Sequence, residues 1–112
     1  MKYQLIIKMI GCGSELLNEI RSDMETALND TNIEKKFPDG GWAKVHTCID
    51  IVGTTVTITS NYEGEGEEYL EYMHKMEQDA LTGGFQASFK REYANEKPEK
   101  SCTSLKANII KL

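Results

Sequence analysis

Residues 43–62 of this chain read AKVHTCIDIVGTTVTITSNY, and this stretch decides the fold. Two β-branched, alternating runs flank Gly53 and Thr54, a pair suited to the two-residue turn of a β-hairpin. With these two residues as the turn, Ile49 lies opposite Ile58 on one face, and polar side chains lie opposite each other on the other. The stretch therefore predicts an antiparallel hairpin that is apolar on one face and polar on the other.

The same patterns predict the elements before and after the hairpin. Period-2 alternation predicts five strands, at residues 2–10, 43–52, 55–62, 85–93 and 103–111. Apolar residues at helical spacing predict two helices, at residues 14–29 and 66–82. Residues 30–41, DTNIEKKFPDGG, show no sustained period and are interpreted as a connection.

The predicted order β-α-β-β-α-β with a C-terminal fifth strand defines an α+β fold. Its first six elements resemble the split βαβ, or ferredoxin-like, arrangement, in which two helices cover one face of an antiparallel sheet. We expect the strand order 4-1-3-2, with the fifth strand beside the fourth. A chain of 112 residues has the length of one domain, so residues 1–112 are expected to form a single domain. Because this fold hosts many unrelated functions, the resemblance implies no activity.

The composition favours a globular protein. Hydrophobic residues make up 39% of the chain and charged residues 28%, with only 2 prolines, which argues against a disordered or collagen-like chain. No apolar run approaches the roughly 18 to 20 residues that span a bilayer, and no signal peptide is convincing, so we expect a cytoplasmic protein without a membrane segment. The three cysteines form no C-x-x-C pair, so reduced thiols are expected. No motif predicts a cofactor, a metal or a catalytic residue.

Acidic residues concentrate in the two predicted helices. Residues 15–30 carry five acidic side chains and one basic one, and residues 63–79 carry seven and one, against a net charge of −5 for the chain. Both helices should cover the same face, so that side would carry about −10 and the rest of the molecule about +5. The simpler interpretation is a solvated helix surface, since glutamate favours helices.

The functional hypothesis for these charges is that the acidic helical side binds a basic protein partner. Five glutamates are the candidate contacts: Glu15, Glu19, Glu67, Glu68 and Glu71. Trp42, after a glycine-rich turn, is interpreted either as a core residue or as an exposed aromatic anchor for the same partner.

Two groups of residues have the chemistry of a reactive site. The segment Gly11-Cys12-Gly13-Ser14 lies between a strand and a helix start. Backbone N–H groups at such a position can bind an anion or lower the pKa of a thiol. The segment nevertheless lacks the Lys-Ser/Thr ending of a phosphate loop. His46, Cys48 and Asp50 alternate on one strand at a spacing of about 6.6 Å, too far for hydrogen bonding among all three. A tight turn around a buried cysteine and a polar strand face are the simpler interpretations.

Two classes of function remain, neither of which involves direct binding of nucleic acid, because the chain lacks clustered Lys and Arg and aromatic side chains on the open sheet face. The first is a small acidic, non-catalytic interaction protein that inhibits or antagonises a basic, nucleic-acid-processing partner. By size and charge, though by no motif, it is similar to phage anti-defence or anti-CRISPR-type proteins. The alternative is a homo-oligomeric ferredoxin-like domain that binds a small molecule, as a regulatory domain or as a small enzyme using Cys12 or His46.

A homodimer is also expected. The sheet face bearing Ile6, Cys48, Thr57 and Thr59 has few charges, and antiparallel sheets often associate through such a face or through an edge.

Overall fold

The structure is a computed structural model, and it describes residues 1–24 and 31–112. In that part of the chain it contains five strands: β1 (Lys2–Ile10), β2 (Thr31–Lys36), β3 (Trp42–Val52), β4 (Thr55–Glu65) and β5 (Ser104–Lys111). It contains three α-helices, α1 (Ser14–Asp23), α2 (Glu67–Thr82) and α3 (Gly84–Tyr93), and a short 3-10 helix at Pro98–Lys100. One antiparallel sheet with helices packed on it confirms the α+β class.

The central hairpin has the predicted register. β3 and β4 pair antiparallel around Gly53 and Thr54, and Ile49 lies opposite Ile58. Gly53 has a φ angle of 61°, the left-handed conformation that glycine adopts without a steric penalty. The turn chemistry and the alternation therefore agree, and together they fix the register.

The strands follow the order β2-β3-β4-β1-β5, and every neighbouring pair is antiparallel. The adjacency of β3, β4 and β1 agrees with the predicted order. The specific ferredoxin-like assignment is not confirmed, for two reasons. β2 adds a strand beside β3, and β5 occupies the place beside β1 that the sequence assigned to residues 85–93.

The predicted strand at residues 85–93 is wrong, because these residues form α3. Phe85, Phe89 and Tyr93 are four residues apart, so they fit the alternation of a strand and the stripe of a helix equally well. The helix packs this stripe against the core, and the rings of Phe89 and Tyr93 are 4.8 Å apart. Gly83, with a φ angle of 80°, ends α2 and separates it from α3.

The segment interpreted as a connection contains the edge strand β2, which pairs with β3 and places Ile33 opposite Val45. Only one of the six residues of β2 is apolar, so no alternation marks this strand. The helix predicted at 14–29 begins at Ser14 as expected and is described as far as Asp23. Residues 25–29 of that prediction lie outside the described residues, as does residue 30 of the segment interpreted as a connection.

The helices cover one face of the sheet, and the core lies between the two layers. One cluster centres on α2, whose Tyr69 and Met73 are fully buried and pack with Tyr3 of β1. A second cluster joins α1 to the sheet through Leu17 and Val56. In the described ranges, no helix is both long enough and apolar enough to cross a bilayer.

Gly64 brings α2 close to β4. A Cβ atom at this position would meet the ring of Tyr69 at 2.5 Å, as well as the carbonyl oxygen of Trp42. The bare backbone of Gly64 therefore provides the surface on which the Tyr69 ring packs.

Candidate functional site

The helical layer is less acidic than the sequence predicted. α1, α2 and α3 together carry nine acidic and four basic side chains, a net charge of −5. Glu63 and Glu65 were counted with α2, but they belong to β4 and lie on the sheet face turned away from the helices. Glu25 and Asp30 lie outside the described residues, and α3 adds basic side chains to the layer. The shift of Glu63 and Glu65 to β4 and the net charge of +1 on α3 together make the helical side three charges less negative than the count from the sequence.

The five glutamates proposed as partner contacts fall into two groups. Glu15 and Glu19 are exposed on α1, which starts beyond the end of β1 at Ile10. The other three lie in the first turns of α2: Glu67, Glu68 and Glu71. Because β4 runs antiparallel to β1, the two helix starts lie at opposite ends of β1, about 25 Å apart along the strand. Glu15 also lies 3.8 Å from Lys100, so part of its charge is compensated.

Asp39 holds the start of α2. Its Oδ2 atom accepts a hydrogen bond from the N–H of Glu68 at 3.1 Å, and its Oδ1 atom accepts one from the N–H of Gly41 at 2.8 Å. These hydrogen bonds, that from Glu68 first, lower the pKa of the Asp39 carboxyl below its ordinary value. Asp39 therefore adds a charge of fixed position beside the glutamates of α2.

An aromatic cluster lies next to these carboxylates. The ring centroid of Tyr72 is 6.5 Å from that of Phe37 and 6.4 Å from that of Tyr62. The Nζ atom of Lys35 lies 5.2 Å from the Phe37 centroid and 5.8 Å from the Tyr72 centroid, so one ammonium group contacts both rings. Tyr72 follows Glu68 by four residues, so the two share a face of α2. We name this region the α2 surface, and its residues are Phe37, Asp39, Glu67, Glu68, Glu71 and Tyr72.

Trp42 lies on the other side of the sheet from the α2 surface. It is the first residue of β3, and its neighbours in the register are Lys36 and Glu65. These residues belong to the open face, by which we mean the sheet face turned away from the helices. Trp42 is half-buried, and the Nζ atom of Lys44 lies 5.3 Å from its ring centroid. The structure therefore does not bring this aromatic side chain to the glutamates.

The segment from Gly11 to Ser14 has the geometry of a turn. The N–H of Cys12 donates to the carbonyl of Thr54 at 2.9 Å, and the N–H of Gly13 donates to the carbonyl of Ser101 at 2.8 Å. These two donors are therefore occupied within the chain. Cys12 is buried, and burial raises the pKa of its thiol, which is the opposite of what an activated cysteine requires.

Cys102 lies beside Cys12, and each thiol donates a weak hydrogen bond to a backbone carbonyl, Cys12 to that of Met9 and Cys102 to that of Ser104. Burial, with a further contribution from Cys12, raises the pKa of the Cys102 thiol to about 12. Both groups are free thiols. At neutral pH both thiols are therefore protonated, and they react slowly as nucleophiles.

His46 and Cys48 lie together on the open face. The Sγ atom of Cys48 is 3.9 Å from both ring nitrogens of His46, a long and weak sulfur contact. Asp50 is two residues further along β3, opposite Thr57. Within residues 1–24 and 31–112, no group of three or more His, Cys, Asp or Glu side chains is arranged to hold a metal ion.

Comparison with known proteins gives no match: no protein-family model, no curated protein and no solved structure matches this chain significantly.

Sequence reasoning missed three members of the α2 surface, namely Phe37, Asp39 and Tyr72. A signal existed for Asp39, because aspartate in a Pro-Asp-Gly-Gly turn commonly accepts a hydrogen bond from the N–H two residues later, here Gly41. The contact between Phe37 and Tyr72 had no local signal, since it forms only because β2 places the two rings together.

Proposed function

We propose that this protein is a small, non-catalytic interaction protein whose α2 surface binds a basic protein. The observation that carries the proposal is the position of the Lys35 ammonium group, which lies over Phe37 and Tyr72 on the face that Tyr72 shares with Glu68. These rings therefore accept a cation, and an arginine or lysine of a partner would make the same contact by displacing the exposed side chain of Lys35.

The exposure of the surrounding side chains supports this role. Glu67 and Glu71 are exposed, and Tyr72 keeps 38% of its surface accessible. Ile33, on the same side of β2 as Lys35, is 58% exposed. Aromatic side chains at the centre of an interface commonly dominate binding energy, while acidic neighbours steer and orient a basic partner.

The basic partner that this surface fits best is a protein with clustered lysine and arginine, such as the nucleic-acid groove of a nucleic-acid-processing protein. Carboxylates in that groove would compete with phosphates for the same side chains. The specific form of the proposal is therefore an inhibitor or antagonist of such a protein.

The test uses a labelled nona-arginine peptide as a defined basic probe, with binding followed by fluorescence anisotropy. We expect the wild type to bind at low salt and to lose affinity as the salt concentration rises. The E67K/E71K variant should bind at least about tenfold more weakly, because each reversal turns an attraction into a repulsion. Tyr72→Ala should also weaken binding, which a purely electrostatic attachment would not require.

The control variant is E92K/E96K, which makes the same charge change at exposed positions at and beyond the end of α3 and should bind within about twofold of the wild type. A third variant, E15K/E19K, changes the glutamates of α1. Equal losses in all three variants would show that the peptide responds to total charge, and the proposal would then fail. It would also fail if the wild type showed no binding at low salt.

A further inference from the structure

The open face carries a regular pattern of side chains. The helices pack on the opposite side of the sheet, and the register arranges the residues of the open face in rows that cross the strands. One row alternates in charge: Glu34 on β2, Lys44 on β3, Glu63 on β4 and Lys2 on β1. All four side chains are exposed. A row in which the charge alternates is complementary to a second copy of the same row that runs in the opposite direction.

We infer that the open face binds a second copy of this chain. A twofold axis that is parallel to the strands and passes between β3 and β4 places β3 over β4 of the partner subunit, and β2 over its β1. Lys44 then faces Glu63 of the partner subunit, and Glu34 faces Lys2 of the partner subunit. Because a twofold interface is reciprocal, this row forms four pairs of opposite charge and no pair of like charge.

The adjacent row fits the same symmetry. It consists of Asn32, His46, Asn61 and Gln4, and Gln4 Nε2 donates a hydrogen bond to Asn61 Oδ1 at 3.1 Å. The axis places Asn32 opposite Gln4 of the partner subunit, and His46 opposite Asn61 of the partner subunit. Amide side chains both donate and accept, so they pair in either orientation. A shallow cavity of about 660 Å³ borders these two rows and provides space for the partner's side chains.

The third row is the least polar of the three. Cys48, Thr59 and Ile6 occupy it on β3, β4 and β1, and all three are half-buried. Under this axis β3 and β4 overlap the partner's β4 and β3 along their full length, whereas β2 overlaps the partner's β1 only at residues 31–34. At about 3.3 Å per residue and about 4.8 Å between strands, the overlap covers roughly 480 Å² per subunit. The total of roughly 950 Å² is at the lower limit for a specific interface, so the dimer should be weak and sensitive to salt.

This dimer turns both helical layers outward. The α2 surfaces of both subunits then remain accessible, and a basic partner with two contact regions could bind them together. Self-association and partner binding use opposite sides of the sheet, so each can be removed without the other.

The test uses two charge variants and sedimentation equilibrium at low salt. E34K/E63K makes the charged row entirely basic, and K2E/K44E makes it entirely acidic. We expect the wild type to approach twice the chain mass of 12.6 kDa at high concentration. Each variant alone should dimerise at least about tenfold more weakly, and an equimolar mixture of the two should recover the wild-type mass.

A third double variant distinguishes a loss of charge complementarity from a loss of stability. The exchange K2E/E34K keeps opposite charges across the twofold axis, although it places like charges side by side within each chain, so it should dimerise as the wild type does. E92K/E96K, on the helical side, is the charge-matched control and should also dimerise. The inference fails if the wild type stays monomeric at high concentration, if the two row variants dimerise alone, or if their mixture stays monomeric.

Discussion

The helix-covered face and the open face of the sheet are formed by alternate residues of the same strands, yet they are stabilised differently. In β4, Val56 and Tyr62 face the helices and are buried, with Val56 0% exposed. Their neighbours Thr57 and Asn61 face away and stay half-buried or exposed. The covered face gains free energy by excluding water, whereas the open face keeps its side chains available to other molecules.

Charge separates the two sides further. The described residues of the three helices carry a net charge of −5, with carboxylates gathered at the start of α2, whereas one row of the open face alternates acidic and basic side chains. A one-sign cluster attracts a partner of the opposite sign, and an alternating row is complementary to itself. The core beneath the helices therefore provides the stability, and the two outer surfaces differ in the kind of partner that we propose for each.

The largest expected difference between the faces is in stability. Ile49 is 8% exposed beneath the helices, and Cys48 is its half-buried neighbour on the open face. Ile49→Ala should lower the free energy of unfolding by about 2 to 5 kcal/mol, because it leaves a cavity in the core. Cys48→Ala should cost less than about 1 kcal/mol.

Urea unfolding at low protein concentration, where any dimer is dissociated, measures both variants on the same scale. Similar losses for the two substitutions would mean that the open face is packed as tightly as the core. The two faces would then not differ in how they contribute to stability.

The parts of the fold that were predictable are those where two independent signals agree. The β3–β4 register follows from alternation and from the turn at Gly53, and α2 follows from its apolar stripe and its glycine stop. Residues 85–93 carry only one signal, a spacing of four between aromatic residues, which a strand and a helix satisfy equally. β2 carries almost none, because an edge strand exposed on both faces needs no apolar alternation.

The candidate site was predictable only in its charges. Counting carboxylates finds Glu67, Glu68 and Glu71, since charge is visible in the sequence. The aromatic part depends on β2, which was not predicted, and so the contact of Phe37 with Tyr72 was not predicted either. A long-range contact of this kind depends on which strands pair, and no local sequence pattern predicts it.

The second prediction concerns the stability of the buried core at alkaline pH. Burial, with smaller contributions from neighbouring tyrosines, raises the pKa of Tyr62 and of Tyr69 to about 12 each, against an ordinary value of 10.0. As pH rises, the phenols of the unfolded chain therefore lose their protons first. Between the two pKa values the folded state binds more protons than the unfolded state. The stability that the neutral phenols contribute is fully present below about pH 10 and is lost progressively between about pH 10 and about pH 12.

Urea unfolding across this range should show the decline, and Tyr62→Phe should make it shallower because one titrating group is removed. Tyr69→Phe should do the same, although it also removes the hydrogen bond of 3.0 Å to the carbonyl of Met1. An identical decline in both variants would show that other groups cause it.

The smallest expected effect concerns thiol chemistry and leaves stability almost unchanged. Cys48 is half-buried on the open face, whereas burial raises the pKa of both Cys12 and Cys102. Because the thiolate is the reactive form, a disulfide reagent such as Ellman's should react with one thiol quickly and with two slowly. Cys48→Ser should remove the fast phase, Cys102→Ser should retain it, and urea should make all remaining thiols react together. Three equal rates in the folded wild type would contradict the assignment. They would show that the region around Cys12 opens as readily as the open face, since a buried thiol reacts only through local opening.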